Sequence, residues 1–246
     1  VITLDASTPC TVSVGVANCT VATSRLSNAS TKSYFSLEKQ YASVAQYLML
    51  RGMAVSKMTL NFAAAALTDG SFDFMGKNGT RAGATALPGV QAASKTYEIQ
   101  NGVTGVGQLW EGTTPLTSTY IKTMSVNTDN NLRGQKAIAN LGNVGIGSGD
   151  FGVSGQLEVY FADGTLYDKF LADTYTQLIV GSQDAAGNGY IITMPRVLLT
   201  GGKVVAGGKN QDVMMSFDYT AYSDDTNAVV ANQKTMFIDR VGVALS

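Results

Sequence analysis

The sequence of 246 residues contains no histidine. That removes the imidazole base, the serine–histidine and cysteine–histidine nucleophile pairs and histidine metal ligation together. Charge is scarce too: Asp, Glu, Lys and Arg make 14% of the chain, against roughly 25% in an ordinary soluble protein. The net charge of −1 gives no global basic field of the kind that draws a protein to nucleic acid. Of the two cysteines, Cys10 and Cys19, the spacing suits a hairpin disulfide and equally two small buried hydrophobes. No apolar run reaches the roughly 18 residues of a membrane-spanning helix. The opening Val-Ile-Thr-Leu-Asp has neither a basic nor a long apolar stretch, so no signal peptide is expected. Tryptophan occurs once, as Trp110, more often a core or interface anchor than a ligand platform.

What is present is apolar mass and turn residues: 45% hydrophobic residues and 27 glycines. Such a chain buries a core without staples and reads as all-β. Up to Gly145 there are eleven basic and seven acidic residues; from Ile146 onward there are six and eleven. A basic half followed by an acidic half suits head-to-tail self-association, and equally a solvated surface.

Period-two alternation marks half-buried strands at Met58-Leu60-Phe62, at Val153 to Phe161 and at Val213 to Ala221. Thr68-Asp-Gly, Gly76-Lys-Asn-Gly, Ala162-Asp-Gly and Ala185-Ala-Gly-Asn-Gly read as breaks between strands. Pro195 predicts an edge strand or a bulge. One short helix is predicted over about Thr165 to Ala172, capped by Asp163-Gly-Thr, with Leu166, Phe170 and Leu171 on one side. Ser36 to Leu50 fits a helical face and a strand equally well. Arg81 to Ala93 reads as a long loop.

Three ordered matches suggest an internal repeat. Ser56–Phe62 resembles Lys122–Thr128, Gly70–Phe74 resembles Gly155–Val159, and Tyr34–Glu38 resembles Thr96–Gln100. Two unrelated β stretches of similar composition would look much the same. The glycine run from Gly142 to Gly152 lacks the following helix and the lysine that a phosphate loop needs. Asp163, Asp224 and Asp225 lack the spacing of a calcium loop. Nothing in the sequence brings two of Glu38, Glu98, Glu111 and Glu158 together as a glycosidase pair.

Ser33-Tyr-Phe-Ser-Leu-Glu-Lys-Gln-Tyr, then Gln46-Tyr and Arg51-Gly-Met, then Lys57-Met-Thr-Leu-Asn-Phe running to Gly70-Ser-Phe-Asp-Phe-Met-Gly-Lys, resemble the phage tail tube protein family. So do Asn130-Asn-Leu-Arg, Val153 to Asp163, Leu178 to Asp184, Met194-Pro-Arg-Val and Asp212 to Ala221. The order of these ordinary strand fragments carries the resemblance, from about Arg25 to Arg240. Residues 1–24 form an N-terminal arm outside it, and 25–246 form the tube domain, with related halves at about 33–80 and 95–165 completed by C-terminal strands.

The resemblance implies a mainly β fold, a β-sandwich or half-barrel of the tail tube type with one short α-helix, assembling into rings. For Ser36–Leu50 it favours strand. It implies a virion protein of the phage tail, assembled in the host cytoplasm, with no enzymatic activity, cofactor, metal or membrane contact. Its partners would be itself and the tape-measure, tail-tip and tail-terminator proteins, with DNA passing through the lumen without specific binding. Stacked six-chain rings would form the conduit, with a lumen that lacks a strong basic lining. Glu158, Asp163, Asp212 and Asp218 are candidate lumen acids. Lys77, Asn78 and Arg81, in the stretch Gly76–Ala93, are candidates for the contact between rings. Two ring-forming halves per chain would let three chains make a pseudo-six-fold ring in place of six. The tube of a contractile tail or injection apparatus is a related reading. A monomeric β-sandwich adhesin or carbohydrate-binding module is a reading of another class, and it predicts exposed aromatic platforms.

Overall fold

The computed structural model describes residues 12–13, 16–17, 22–87, 100, 110–111, 114–115, 120–161, 164–184, 188–228 and 233–241. Cys10, Cys19, Asp163 and residues 96–99 of the third repeat match lie outside them. The strands in chain order are β1 (Val12–Ser13), β2 (Val16–Ala17), β3 (Ala22–Ser27), β4 (Phe35–Tyr41), β5 (Gln46–Ala63), β6 (Asp69–Met75), β7 (Asn78–Ala82), β8 (Trp110–Glu111) and β9 (Thr114–Pro115). They continue as β10 (Ile121–Asp129), β11 (Arg133–Lys136), β12 (Asn143–Gly147), β13 (Gly152–Tyr160), β14 (Thr176–Gln183), β15 (Gly189–Ala206), β16 (Val213–Tyr222) and β17 (Phe237–Val241). The helix α1 (Thr165–Leu171) lies between β13 and β14.

The main sheet runs β4-β5-β10-β13-β16-β15-β14-β8-β9, with β6 and β7 also on β5 and β17 joining β15 to β3. Two 18-residue strands hold it together. β5 pairs with β4 and β7 along its first half and with β6 and β10 along its second. β15 pairs with β14 and β17 along its first half and with β16 along its second. Pro195 sits where the β14 register shifts between Thr176 and Leu178. The bulge reading holds and the edge reading does not, because β15 is paired on both sides. The core lies where alternate residues of β5, β10, β13 and β16 meet those of β14 and β15: Phe62, Met124, Leu157, Phe217, Leu178 and Met194 are buried there. Full burial of a leucine such as Leu157 contributes about 1.5–3 kcal/mol.

The helix is seven residues long, too short to be stable unsupported. Leu166 is buried, and Tyr167 and Phe170 pack on the core, Phe170 with its ring centroid 6.2 Å from that of Phe217. Leu171 is a correction to the expected face, since it is 65% exposed. The N-cap position is Gly164, which offers no side-chain cap.

Ser36–Leu50 is a hairpin, β4 to β5, turning through a 3-10 segment at Ala42–Val44 that ends on Ala45 at φ +48°. Two expected breaks also differ. Asp69 and Gly70 already belong to β6, and the turn is Ala64–Thr68. Gly76–Lys77 joins two strands that both lie on β5, so the expected loop from Gly76 begins as strand β7.

Two of the three repeat matches fall into the same register. Leu60 lies opposite Val126 across the β5–β10 ladder, and these are matched positions. Gly70 lies opposite Leu60 and Gly155 opposite Val126. Each hairpin skips one residue, Ser56 between Val55 and Lys57, and Lys122 between Ile121 and Thr123. Those bulged residues are also matched. The pairs β6–β5 and β13–β10 are thus related by a local two-fold between β5 and β10.

Candidate functional site

Since the core takes one set of alternate residues, the other set on β5, β10, β13 and β16 forms a polar face. Register arranges it in rows across the strands. One row runs Asn61, Ser125, Gln156, Asp218; the next runs Thr59, Asn127, Ser154, Thr220; a third runs Ala63, Thr123, Glu158, Ser216. Hydroxyls and amides dominate. Gln156 Nε2 donates to Asp218 Oδ1 at 2.9 Å, and Thr123 Oγ1 donates to Glu158 Oε2 at 3.3 Å.

Two of the four expected lumen acids, Glu158 and Asp218, therefore share this face. Asp212 sits in the turn before β16, and Asp163 lies outside the described residues. Lys122 Nζ is 3.2 Å from Glu158 Oε1, and Lys57 Nζ is 3.1 Å from Asp129 Oδ2. These pairs are exposed and contribute at most about 1 kcal/mol each, but they hold two lysines against carboxylates. The Asp129 carboxyl is held below its usual range, first by the Asn131 backbone N–H donating to it and then by Lys57. Its stabilisation is therefore present above the ordinary carboxylate range and lost as pH falls through the depressed value. In urea melts at about pH 6 and about pH 3, Asp129→Asn is expected to show a smaller pH difference than the parent chain. An equal difference would remove Asp129 from the account.

Behind the face, Gly155 lets β13, β10 and β16 close up. The Tyr219 hydroxyl crosses over it and donates to Ser125 O at 2.7 Å. Burial pushes the Tyr219 phenol well above its usual range, so it remains a donor at any ordinary pH.

The expected inter-ring residues lie together at another place, the junction of β6 and β7. Lys77 donates from its backbone N–H to Arg51 O, and its ammonium sits 5.0 Å from the centroid of the Tyr34 ring. Asn78 opens β7, and Arg81 Nη1 donates to Gln46 Oε1 at 2.9 Å. The β11–β12 hairpin is clamped onto this junction: Asn143 donates from its backbone N–H to Lys77 O at 3.0 Å and from Nδ2 to Gly76 O at 2.8 Å. At the tip of that hairpin Ile138 and Leu141 are fully exposed. Sequence reasoning missed this tip, although Ile138 and Leu141 stand in a turn that no strand pattern explains. It missed the exposed Phe72 and Phe74 of β6 as well. Elsewhere, Asp225 is paired with Arg196, and Glu38 accepts from Thr85 Oγ1 and the Ala86 backbone N–H. No group of three or more possible metal ligands occurs among the described residues.

No curated protein matches the sequence. A family model described as phage tail tube protein matches residues 5–221. That span takes in the strands from β1 to β15 and nearly all of β16, so the chain belongs to the phage tail tube protein family and is a structural component of the phage tail.

Proposed function

We propose that six copies of this chain close into a ring, that rings stack into the tail tube, and that the β5-β10-β13-β16 face lines its lumen. The observation that carries the lumen assignment is the makeup of that face. Its rows hold hydroxyls, amides and the carboxylates of Glu158 and Asp218, while Lys57 and Lys122 are drawn onto acids. Phosphate binding rests on Lys and Arg displacing counterions. A face like this lets DNA and the tape-measure protein slide.

The local two-fold supports six chains over three. Ring-forming units must all point the same way along a polar tube. The two hairpins point in opposite directions, so together they make one unit. Stacking is heterologous, and the junction carrying Lys77, Asn78 and Arg81, with the apolar tip of Ile138 and Leu141, is our assignment for the contact with the next ring. The tail-tip and tail-terminator proteins then meet the two ends of the tube, which is built in the host cytoplasm.

Negative-stain microscopy over a concentration series tests this reading. Hollow rings or tubes of six-fold symmetry are expected; monomers at every concentration would overturn it. Gln156→Lys together with Ser154→Lys should leave the rings intact and slow DNA passage. Unchanged passage would move the lumen to another face.

A further inference from the structure

Exposed apolar side chains stand at both ends of one set of strands, and the two ends are unlike. At one end Asp129 closes β10 against Lys57 and Gly152, and the β11–β12 hairpin leaves from there. β5 runs on past this end, where its first half carries β4 and β7. The hairpin is clamped to that extension through the β6–β7 junction, so its tip is a fixed projection. Two hydrogen bonds from Asn143 hold it, and at Gly142 the backbone lies so close to Lys77 O that a Cβ would collide with it. Ile138 and Leu141 therefore stand fully exposed on a rigid support. A fixed, bare apolar tip marks a contact surface.

β10 is nine residues long, so the opposite end of these strands lies about 27 Å away at roughly 3.4 Å per residue. There, backbone hydrogen bonds tie the strand ends into one rim. The Ala64 N–H donates to Lys122 O, the Tyr160 N–H to Tyr120 O and the Phe161 N–H to Val213 O. Leu67, Tyr120 and Phe161 are 59%, 68% and 42% exposed on this rim, beside the partly exposed Val213. Charge separates the two ends as well. Residues 76–82 and 130–149, the junction and the hairpin, hold Lys77, Arg81, Arg133 and Lys136 and no acid. The rim turns, 64–69 and 207–212, hold Asp69 and Asp212 against Lys209 alone. Tip against tip would set cations against cations, and such a two-fold joint ends growth at a pair. Tip against rim avoids both, and a heterologous joint repeats without end.

We propose that the Ile138 and Leu141 tip of one copy seats on the rim of Leu67, Tyr120 and Phe161 of a second copy in the next ring. The assignment rests on the stacked-ring reading above and names the surface that receives the hairpin. Ile138 is fully exposed in the monomer, so the urea melt of Ile138→Asp at low concentration stays with that of the parent chain. Its rings still close, while the concentration needed for tubes rises about tenfold or more. Tyr120→Asp, at the other side of the contact, has the same effect. A second test leaves the apolar residues in place. In a Cys10→Ser/Cys19→Ser background, Asn140→Cys at the tip is combined with Ala66→Cys on the rim and oxidised gently after assembly. Links between rings run along the tube, so a covalent ladder is expected that continues past the number of chains in one ring. Trypsin should also cut after Lys136 in the monomer and far more slowly in tubes. Dimers from either cysteine alone, a ladder that stops at one ring, or equal cutting at Lys136 in both forms would each overturn the assignment. If the parent chain forms tubes and the ladder is absent, the tip-to-rim contact alone fails. If the parent chain forms neither rings nor tubes, the stacked-ring reading fails with it.

Discussion

Replacing Gly155 with alanine is expected to remove about 4 kcal/mol of folding stability. A methyl group at Gly155 would fall inside the contact distance of the Ser125 carbonyl oxygen and 2.5 Å from the Tyr219 hydroxyl. Neither neighbour is the free end of a flexible chain. Ser125 O is backbone in β10, and Tyr219 is 1% exposed, with its hydroxyl already committed to that oxygen. Overpacking in a core typically costs about 1–3 kcal/mol. Forcing Tyr219 aside also breaks its hydrogen bond and strands a buried carbonyl, about a further 1–3 kcal/mol. A total near 4 kcal/mol is a large part of the roughly 5–15 kcal/mol that holds a domain together. Gly181→Ala is the control, because a Cβ there meets nothing within 4 Å. It should shift stability by no more than about 0.5 kcal/mol. Urea melts of the two variants at a concentration below assembly decide the matter. Equal stabilities would mean that the three strands separate freely at Gly155.

Gly155 was legible in the sequence only as one member of an alternating strand. Alternation is readable wherever a strand has one wet and one dry face, which is why β13, β16 and the second half of β5 were placed from Val153 to Phe161, Val213 to Ala221 and Met58 to Phe62. It fails where neither face is covered. Every residue of β7 is exposed and two of its five are Gly or Ala, so Asn78–Ala82 looks like loop; it is a strand because β5 runs long enough to offer it a partner. The hairpin around Ala45 was ambiguous for the same reason, with most of β4 exposed. Of the polar face, Glu158 and Asp218 could be picked out as charged residues between apolar ones. Their neighbours Asn61, Ser125 and Gln156 come from strands far apart in sequence, and only the register brings them into a row. The repeat was visible as three loose matches. Its physical content, two hairpins sharing a register and a bulge, needed the pairings. That β6 pairs with β5 alone among the described residues is a fact about what does not pair, and no local pattern reports it.

Arg25→Met is expected to cost about 3 kcal/mol, and Asp239→Asn only about 1 kcal/mol, although both break the same contact. Arg25 and Asp239 face each other across β3 and β17 and join in two bonds, Nε to Oδ1 at 2.6 Å and Nη2 to Oδ2 at 2.8 Å. Their surroundings are unequal. The Asp239 side chain is 3% exposed and that of Arg25 is 40% exposed, with its guanidinium 4.8 Å from the Phe237 ring. Deleting the cation leaves a carboxylate buried without a counter-charge, the costly case. Neutralising the acid leaves a guanidinium that reaches water and keeps its stacking on Phe237, while asparagine still accepts one bond. The double variant Arg25→Met/Asp239→Leu should recover most of the Arg25→Met loss, since an apolar pair of similar volume removes the buried charge altogether. Urea melts of the three variants and the parent chain measure this cycle. Equal losses for the two single variants would show that Asp239 finds water when Arg25 is gone.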